Sequence, residues 1–88
     1  MKLKYEFVMN EVADKIVAVA VGEDLDNFNG FLKMNDISAF MFDLLKNDVT
    51  EDDIVKAMIE KYPDEAESEI KATVSGFVAQ LKENDLLA

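Results

Sequence analysis

The spacing of the apolar residues changes near Met34. Before this point apolar residues alternate with polar ones or form a continuous run, and after it they recur every three or four positions. A period of two is typical of β-strands, and a period of 3.6 is typical of α-helices. Residues 1–88 are expected to form a single domain. The order of the patterns predicts an α+β fold, with a three-stranded antiparallel sheet followed by three helices.

Three segments of the first part are predicted to be strands. Residues 5–10 alternate apolar and polar side chains, which indicates a half-buried strand. Residues 16–21 are β-branched at four of six positions, and we expect them to pair antiparallel with the first strand after a turn within residues 10–15. A short apolar segment, Phe31–Met34, is predicted as a third strand that needs neighbours to be stable. The acidic residues 22–29 are predicted to be a loop.

The first two helices have clear start and stop signals. Asn35 is a suitable N-cap for the first helix, and Asn47 is expected to end it in a left-handed conformation. Thr50 and Asp53 have the spacing of a capping box at the start of the second helix, and Pro63 is expected to stop it. The buried face of the first helix is predicted from its period as Ile37, Phe40, Met41, Leu44 and Leu45.

The third helix is predicted to start at Asp64, with Glu67 completing a second capping box. Asn84 and Asp85 are expected to end it, and Leu86-Leu87 to fold back onto the core. Its buried stripe is predicted as Ile70, Val74, Phe77, Val78 and Leu81.

The composition excludes several classes of function. Nineteen acidic residues face nine basic ones, for a formal charge of −10, which disfavours binding to nucleic acid and to anionic lipid. The chain has no cysteine and no histidine, so thiolate metal sites and imidazole bases are absent. Thr50 is better explained as a helix cap than as a nucleophile. We therefore expect no catalytic residues, no cofactor and no metal site.

Asp24, Asp26, Asn29 and Gly30 cluster as the residues of a calcium-binding loop do, but their spacing does not fit one. The glycine arrives one residue too late for an EF-hand loop, and no glutamate follows at its twelfth position, so a solvated acidic loop is the expected structure. The start of the chain lacks a signal-peptide pattern, and the longest apolar run is far too short to span a membrane. These features predict a cytoplasmic protein.

Four segments carry a resemblance to a known family. Residues 28–35 (FNGFLKMN) and 38–45 (SAFMFDLL) resemble the central signature of the PqqD family, with Met34 in a leucine position and Phe42 in a position often held by tryptophan. Residues 50–62 resemble the second helix of that family, and residues 74–87 its terminal helix and exit. Asp85 stands where the family usually has glycine, and Ser38-Ala39 replaces a common Thr-Gly pair.

The resemblance implies a fold and a function. The family has a winged helix-turn-helix fold with an N-terminal three-stranded sheet. The resemblance implies that this chain is a recognition element, which binds the leader segment of a ribosomally synthesised precursor peptide. Such a peptide chaperone delivers the precursor to a modifying enzyme, often a radical SAM protein.

The resemblance also implies where a leader would bind. The third strand would be the sheet edge that pairs with the peptide, whose side chains would lodge between this strand and the third helix. The implied peptide-binding residues are Phe31, Leu32, Lys33, Met34, Ala66, Ile70, Thr73, Val74 and Phe77. The acidic surface predicts a preference for partners that carry Lys or Arg. An exposed edge also allows two copies to pair as a homodimer.

Three other functions are alternatives to leader binding. A DNA-binding winged helix is disfavoured by charge, because the third helix region has twice as many glutamates as lysines: Glu65, Glu67, Glu69 and Glu83 against Lys71 and Lys82. An acyl carrier protein requires a serine at a helix start, which Asp36-Ile37-Ser38 imitates poorly, and the strand-like residues 16–21 conflict with a four-helix bundle. A protein adaptor without a precursor peptide stays open from sequence.

Overall fold

The computed structural model describes residues 1–21 and 31–88. Of residue 31 it describes only the backbone. The predicted acidic loop and the four calcium-loop candidates, Asp24, Asp26, Asn29 and Gly30, lie outside the described residues. The elements in chain order are β1 (Phe7–Val12), β2 (Lys15–Ala20), β3 (Phe31–Met34), α1 (Asp36–Leu44), α2 (Glu51–Lys61) and α3 (Glu67–Glu83). This order confirms the predicted α+β fold of three strands followed by three helices.

The three strands form one antiparallel sheet in the order β1-β2-β3. β1 and β2 are joined by a two-residue turn, with Val12 opposite Lys15. Ala13 in this turn has a φ of 56°, in the left-handed region that tight hairpins require. The turn is shorter than the predicted 10–15 because the polar residues at the end of β1 stay paired with β2 and face solvent.

The start of α1 follows the prediction, whereas its end does not. The Asn35 side chain accepts a hydrogen bond of 2.8 Å from the Ser38 backbone N–H. The helix ends at Leu44 with Leu45 as C-cap, and Asn47 is not in a left-handed conformation. Leu45 is fully buried. From Leu45 onward the N–H groups bond to the carbonyl three residues earlier, at 3.1, 3.2 and 3.3 Å, so the α-helix passes into a tighter turn here. The expected asparagine terminator was wrong.

The capping box of α2 is confirmed. The Thr50 hydroxyl accepts from the Asp53 N–H at 3.1 Å, and the Asp53 carboxylate accepts from the Thr50 N–H at 2.9 Å. These bonds to Thr50 lower the pKa of Asp53 below its usual 3.8. The helix ends at Lys61, two residues before Pro63.

Replacing Thr50 with alanine is expected to reduce the free energy of unfolding by about 1 kcal/mol, because the first turn of α2 loses a bonded N–H. Thr50→Ser keeps the hydroxyl and serves as the control. Urea denaturation followed by circular dichroism measures both variants. Equal stability of the alanine and serine variants would show that the cap contributes nothing.

The start of α3 differs from the prediction. The helix begins at Glu67, its N-cap is Ala66, and no side chain caps it. A backbone bond of 3.2 Å from the Glu65 N–H to the Tyr62 carbonyl closes a turn just before it. This turn takes up Asp64, so the predicted start at that residue, with a capping box to Glu67, was wrong.

The exit of α3 follows the prediction. Asp85 has a φ of 57°, a left-handed conformation that glycine adopts most readily at the end of a helix. The Leu86 N–H bonds to the Leu81 carbonyl at 2.9 Å, and the Asp85 N–H bonds to the Lys82 carbonyl at 3.1 Å, a Schellman motif. Leu86 turns back into the core, and Leu87 forms a bridge with Leu3 near the start of the chain.

One core joins the sheet to the helices. Its largest fully buried side chains are Phe42, Met41, Leu45, Ile54, Leu86 and Val74. The sheet is incompatible with the four-helix bundle of an acyl carrier protein. No helix within the described residues has the length and apolar character needed to cross a membrane.

Candidate functional site

The hydrogen-bonding pattern of the sheet sets the direction in which each strand presents its main chain. Beyond the ends of β1 and β2, their ladder continues with a bond of 3.1 Å from the Val21 N–H to the Glu6 carbonyl. Bonded and non-bonded pairs alternate along an antiparallel ladder. The odd-numbered residues of β2 therefore bond to β1, and its even-numbered residues direct their main-chain groups toward β3.

This alternation divides the residues of β3 into two sets. Leu32 pairs with Ala18 and Met34 pairs with Ile16, so Leu32 and Met34 are the residues that bond to β2. The main-chain groups of Phe31 and Lys33 point away from β2. Because β3 is the last strand in the sheet order, these groups point toward the edge of the sheet, and no further strand of the described chain lies there.

The side chains of β3 alternate between the two faces of the sheet. Leu32 and Met34 lie on the same face as the buried Ala18, are half-buried, and pack against the core. Lys33 is exposed on the opposite face. An extended chain laid along β3 would therefore meet apolar side chains on the face that carries the helices.

The five implied site residues of α3 and its N-cap fall into two groups. Ile70 and Val74 are core residues, 3% and 0% exposed. Ala66 and Thr73 are exposed, and Phe77 is half-buried against the core. The second group presents exposed surface to a bound molecule, whereas the side chains of Ile70 and Val74 are almost wholly covered.

A pocket of about 150 Å³ opens where three helices meet. β3 packs on β2 and α1, whereas α3 packs on α2. The pocket lies between the start of α1, the end of α2 and the start of α3. It is lined by Ile37, Met58, Tyr62, Glu65, Glu69, Ile70 and Thr73. Ile70 and Thr73 are the two implied site residues that it brings together.

Sequence reasoning missed Ile37 as a pocket residue. The 3.6-residue period predicted it to be buried, but its side chain is 41% exposed and lines the pocket. Its position was a usable signal, since it lies in the first turn of α1, three residues after the end of β3. An apolar side chain at that junction can cover the core or contact a molecule bound beside β3.

A larger cleft of about 590 Å³ lies at the opposite edge of the sheet. It is lined by residues 2–8 with Leu45 and Lys46. Lys46 is paired with Asp43 at 2.9 Å, and Lys4 is paired with Asp85 at 2.8 Å. Two of the lysines in the lining are therefore ion-paired, and the lining also contains Lys2 and Glu6, so both signs of charge are present.

The described residues contain no group of three acidic side chains placed to hold a metal ion. None of their buried side-chain polar atoms lacks a hydrogen-bond partner. The features that remain are therefore a sheet edge, a half-buried apolar surface beside it, and a small pocket with carboxylates on its rim.

Comparison with known proteins identifies the family. The family model described as coenzyme PQQ synthesis protein D (PqqD) matches residues 7–87. The chain belongs to the PqqD family. The matched range includes all three strands and all three helices. No curated protein sequence matches the chain at a significant level.

A solved structure has the same fold as this PqqD-family chain. It is that of TbiB1 in complex with the TbiA(beta) leader peptide. The TM-score is 0.72 at 17% sequence identity, over 99% of this chain and 94% of that one. The high coverage means that the sheet and the helices correspond as a unit.

Proposed function

We propose that this PqqD-family protein is a non-catalytic peptide chaperone. It captures the leader of a ribosomally synthesised precursor peptide by strand addition to β3 and presents it to a modifying enzyme, such as a radical SAM protein. The observation that carries the proposal is the edge position of β3, with the main-chain groups of Phe31 and Lys33 directed away from β2. The solved complex of similar fold contains a leader peptide, which supports the same function here.

Strand addition suits this edge for a physical reason. A strand at a sheet edge offers main-chain donors and acceptors to an incoming extended chain, which gives affinity without requiring a particular sequence. A peptide ladder along β3 would use up to four bonds, to the outward-directed N–H and carbonyl groups of Phe31 and Lys33. At about 0.5–1.5 kcal/mol net for each bond, the ladder contributes about 2–6 kcal/mol.

Main-chain bonds alone are too weak for stable capture. Association costs about 4–15 kcal/mol in lost translational and rotational freedom, so apolar side-chain contacts must supply the rest. Leu32 and Met34 on β3, with Thr73 and Phe77 on α3, present half-buried or exposed side chains for this purpose. Alternate side chains of the leader would contact them, and these contacts would determine the specificity.

Titration of the ¹⁵N-labelled protein tests the proposal. The probes are synthetic peptides that match the N-terminal halves of short open reading frames beside this gene. We expect the largest amide shifts at residues 31–34 and on α3 near Thr73 and Phe77, and small shifts in β1. Shifts concentrated on β1, or a lack of shifts with every peptide, would contradict leader capture at β3 and favour the adaptor function.

A further inference from the structure

The pocket beside α3 has an apolar interior. Met58 and Ile70, which are 2% and 3% exposed, form its floor, and Ile37 forms an exposed wall. Tyr62 also lines the pocket, and its ring packs edge-on against Phe40, with 6.3 Å between the ring centroids, which holds that side chain in place. A cavity of 150 Å³ in an apolar core is large enough to bind benzene. The pocket, of about 150 Å³, therefore has room for one apolar side chain.

The rim of the pocket is acidic. Glu65 and Glu69 line it, and both side chains are exposed. The ion pairs of the described chain leave these two carboxylates without a cationic partner, although the neighbouring Glu67 is paired with Lys71 at 3.4 Å. An apolar interior below two unpaired carboxylates is complementary to an apolar side chain that has a cation near it.

The pocket also lies on the path of a chain added to β3. Ile37 comes three residues after Met34, the last residue of β3. A peptide that continues past the end of this strand would reach the pocket within a few residues, at about 3.3 Å per residue. Side chains two residues apart in an extended peptide point to the same side. One such side chain can enter the pocket while the next on that side reaches the rim.

We propose that this pocket anchors one apolar side chain of the bound leader, and that Glu65 and Glu69 are specificity-determining residues that select Lys or Arg within two residues of that anchor. The inference rests on the proposed function, because the peptide is placed by its pairing with β3. It narrows the substrate class to leaders with an apolar residue next to a basic one, in a protein whose net charge of −10 already attracts cationic peptides.

Selection from a displayed library of random peptides tests this inference. The library is sorted on the wild-type protein, on Glu65→Gln/Glu69→Gln, and on the matched control Glu60→Gln/Glu83→Gln. The control removes two exposed helical carboxylates that do not line the pocket. We expect Lys or Arg beside an apolar residue to be enriched on the wild type and on the control, and this enrichment to disappear on the rim variant.

Affinities of a selected peptide provide the second measurement. The rim variant is expected to weaken binding of this peptide by about 2- to 30-fold, the range for two exposed ion pairs, and the control is expected to leave binding unchanged. Peptides that bind through β3 but show no preference for Lys or Arg would overturn this inference and leave the proposed function intact. The same preference for Lys or Arg on all three proteins would have the same consequence. If no selected peptide binds through β3, both this inference and the proposed function are overturned.

Discussion

Replacing Lys33 with proline is expected to weaken binding of the leader peptide by about 100-fold while the domain stays folded. The Lys33 N–H points away from β2, so its loss does not disturb the pairing of β2 with β3. Proline removes this donor and leaves a carbonyl of the added peptide without a partner, at a cost of about 1–3 kcal/mol beyond the lost bond. Proline is tolerated in edge strands when its nitrogen faces outward.

Lys33→Ala is the matched control, because it removes the charged side chain and keeps the N–H. Fluorescence anisotropy with a labelled leader peptide measures binding, and thermal melting confirms that both variants are folded. We expect the alanine variant to bind within a few-fold of the wild type. A folded proline variant with wild-type affinity would show that the peptide does not add to β3. An equal loss of affinity in both variants would assign the effect to the lysine side chain.

The parts of the fold that the sequence predicted depend on local interactions. Asn35 and the Thr50–Asp53 pair each bond to backbone groups three residues away, so their roles can be inferred from a few neighbouring letters. Pro63 acts in the same local way on α2. The strand segments were predictable because their apolar spacing is also a local property, and β3 was placed at its observed bounds.

The errors arise where two local structures compete or where distant packing decides. Residues 62–65 can form a turn or open a helix, and the bond between Glu65 and Tyr62 selects the turn. Asn47 suits a helix end, but a tighter turn, with bonds to the carbonyl three residues earlier, begins at Leu45 and ends the helix sooner. In both cases the deciding contact involves the path of the chain after the helix, which periodicity does not contain.

The candidate site, like the fold, was predictable only in part. The edge strand was inferred from the family resemblance, and the sheet order agrees with that position. Periodicity assigned Ile37 to the core, although its side chain is 41% exposed, and it correctly placed Val74 on the buried face of the third helix. The family resemblance grouped the buried Val74 and the exposed Thr73 together as peptide-binding residues. The pocket is formed by residues from three helices, so its existence depends on how the helices pack and not on any single pattern.

Replacing Phe42 with alanine is expected to have the largest effect on stability, a loss of about 3–5 kcal/mol in the free energy of unfolding. Phe42 is 1% exposed, and its ring packs edge-on against Phe7, with 5.2 Å between the centroids. This contact joins α1 to β1, and the family often has a still larger tryptophan at the position. The total free energy of unfolding of a domain of this size is only about 5–15 kcal/mol, so we expect a substantial fraction of the variant to be unfolded.

Urea denaturation and thermal melting measure the loss, and Phe42→Leu is the control that retains most of the buried volume. The leucine variant should lose less than about half as much, because the cavity that it leaves is smaller. The melting temperature of the alanine variant should fall by more than about 12 °C. A small loss in the alanine variant would mean that the sheet and α1 are held together without this contact, and that the core can close around the missing ring.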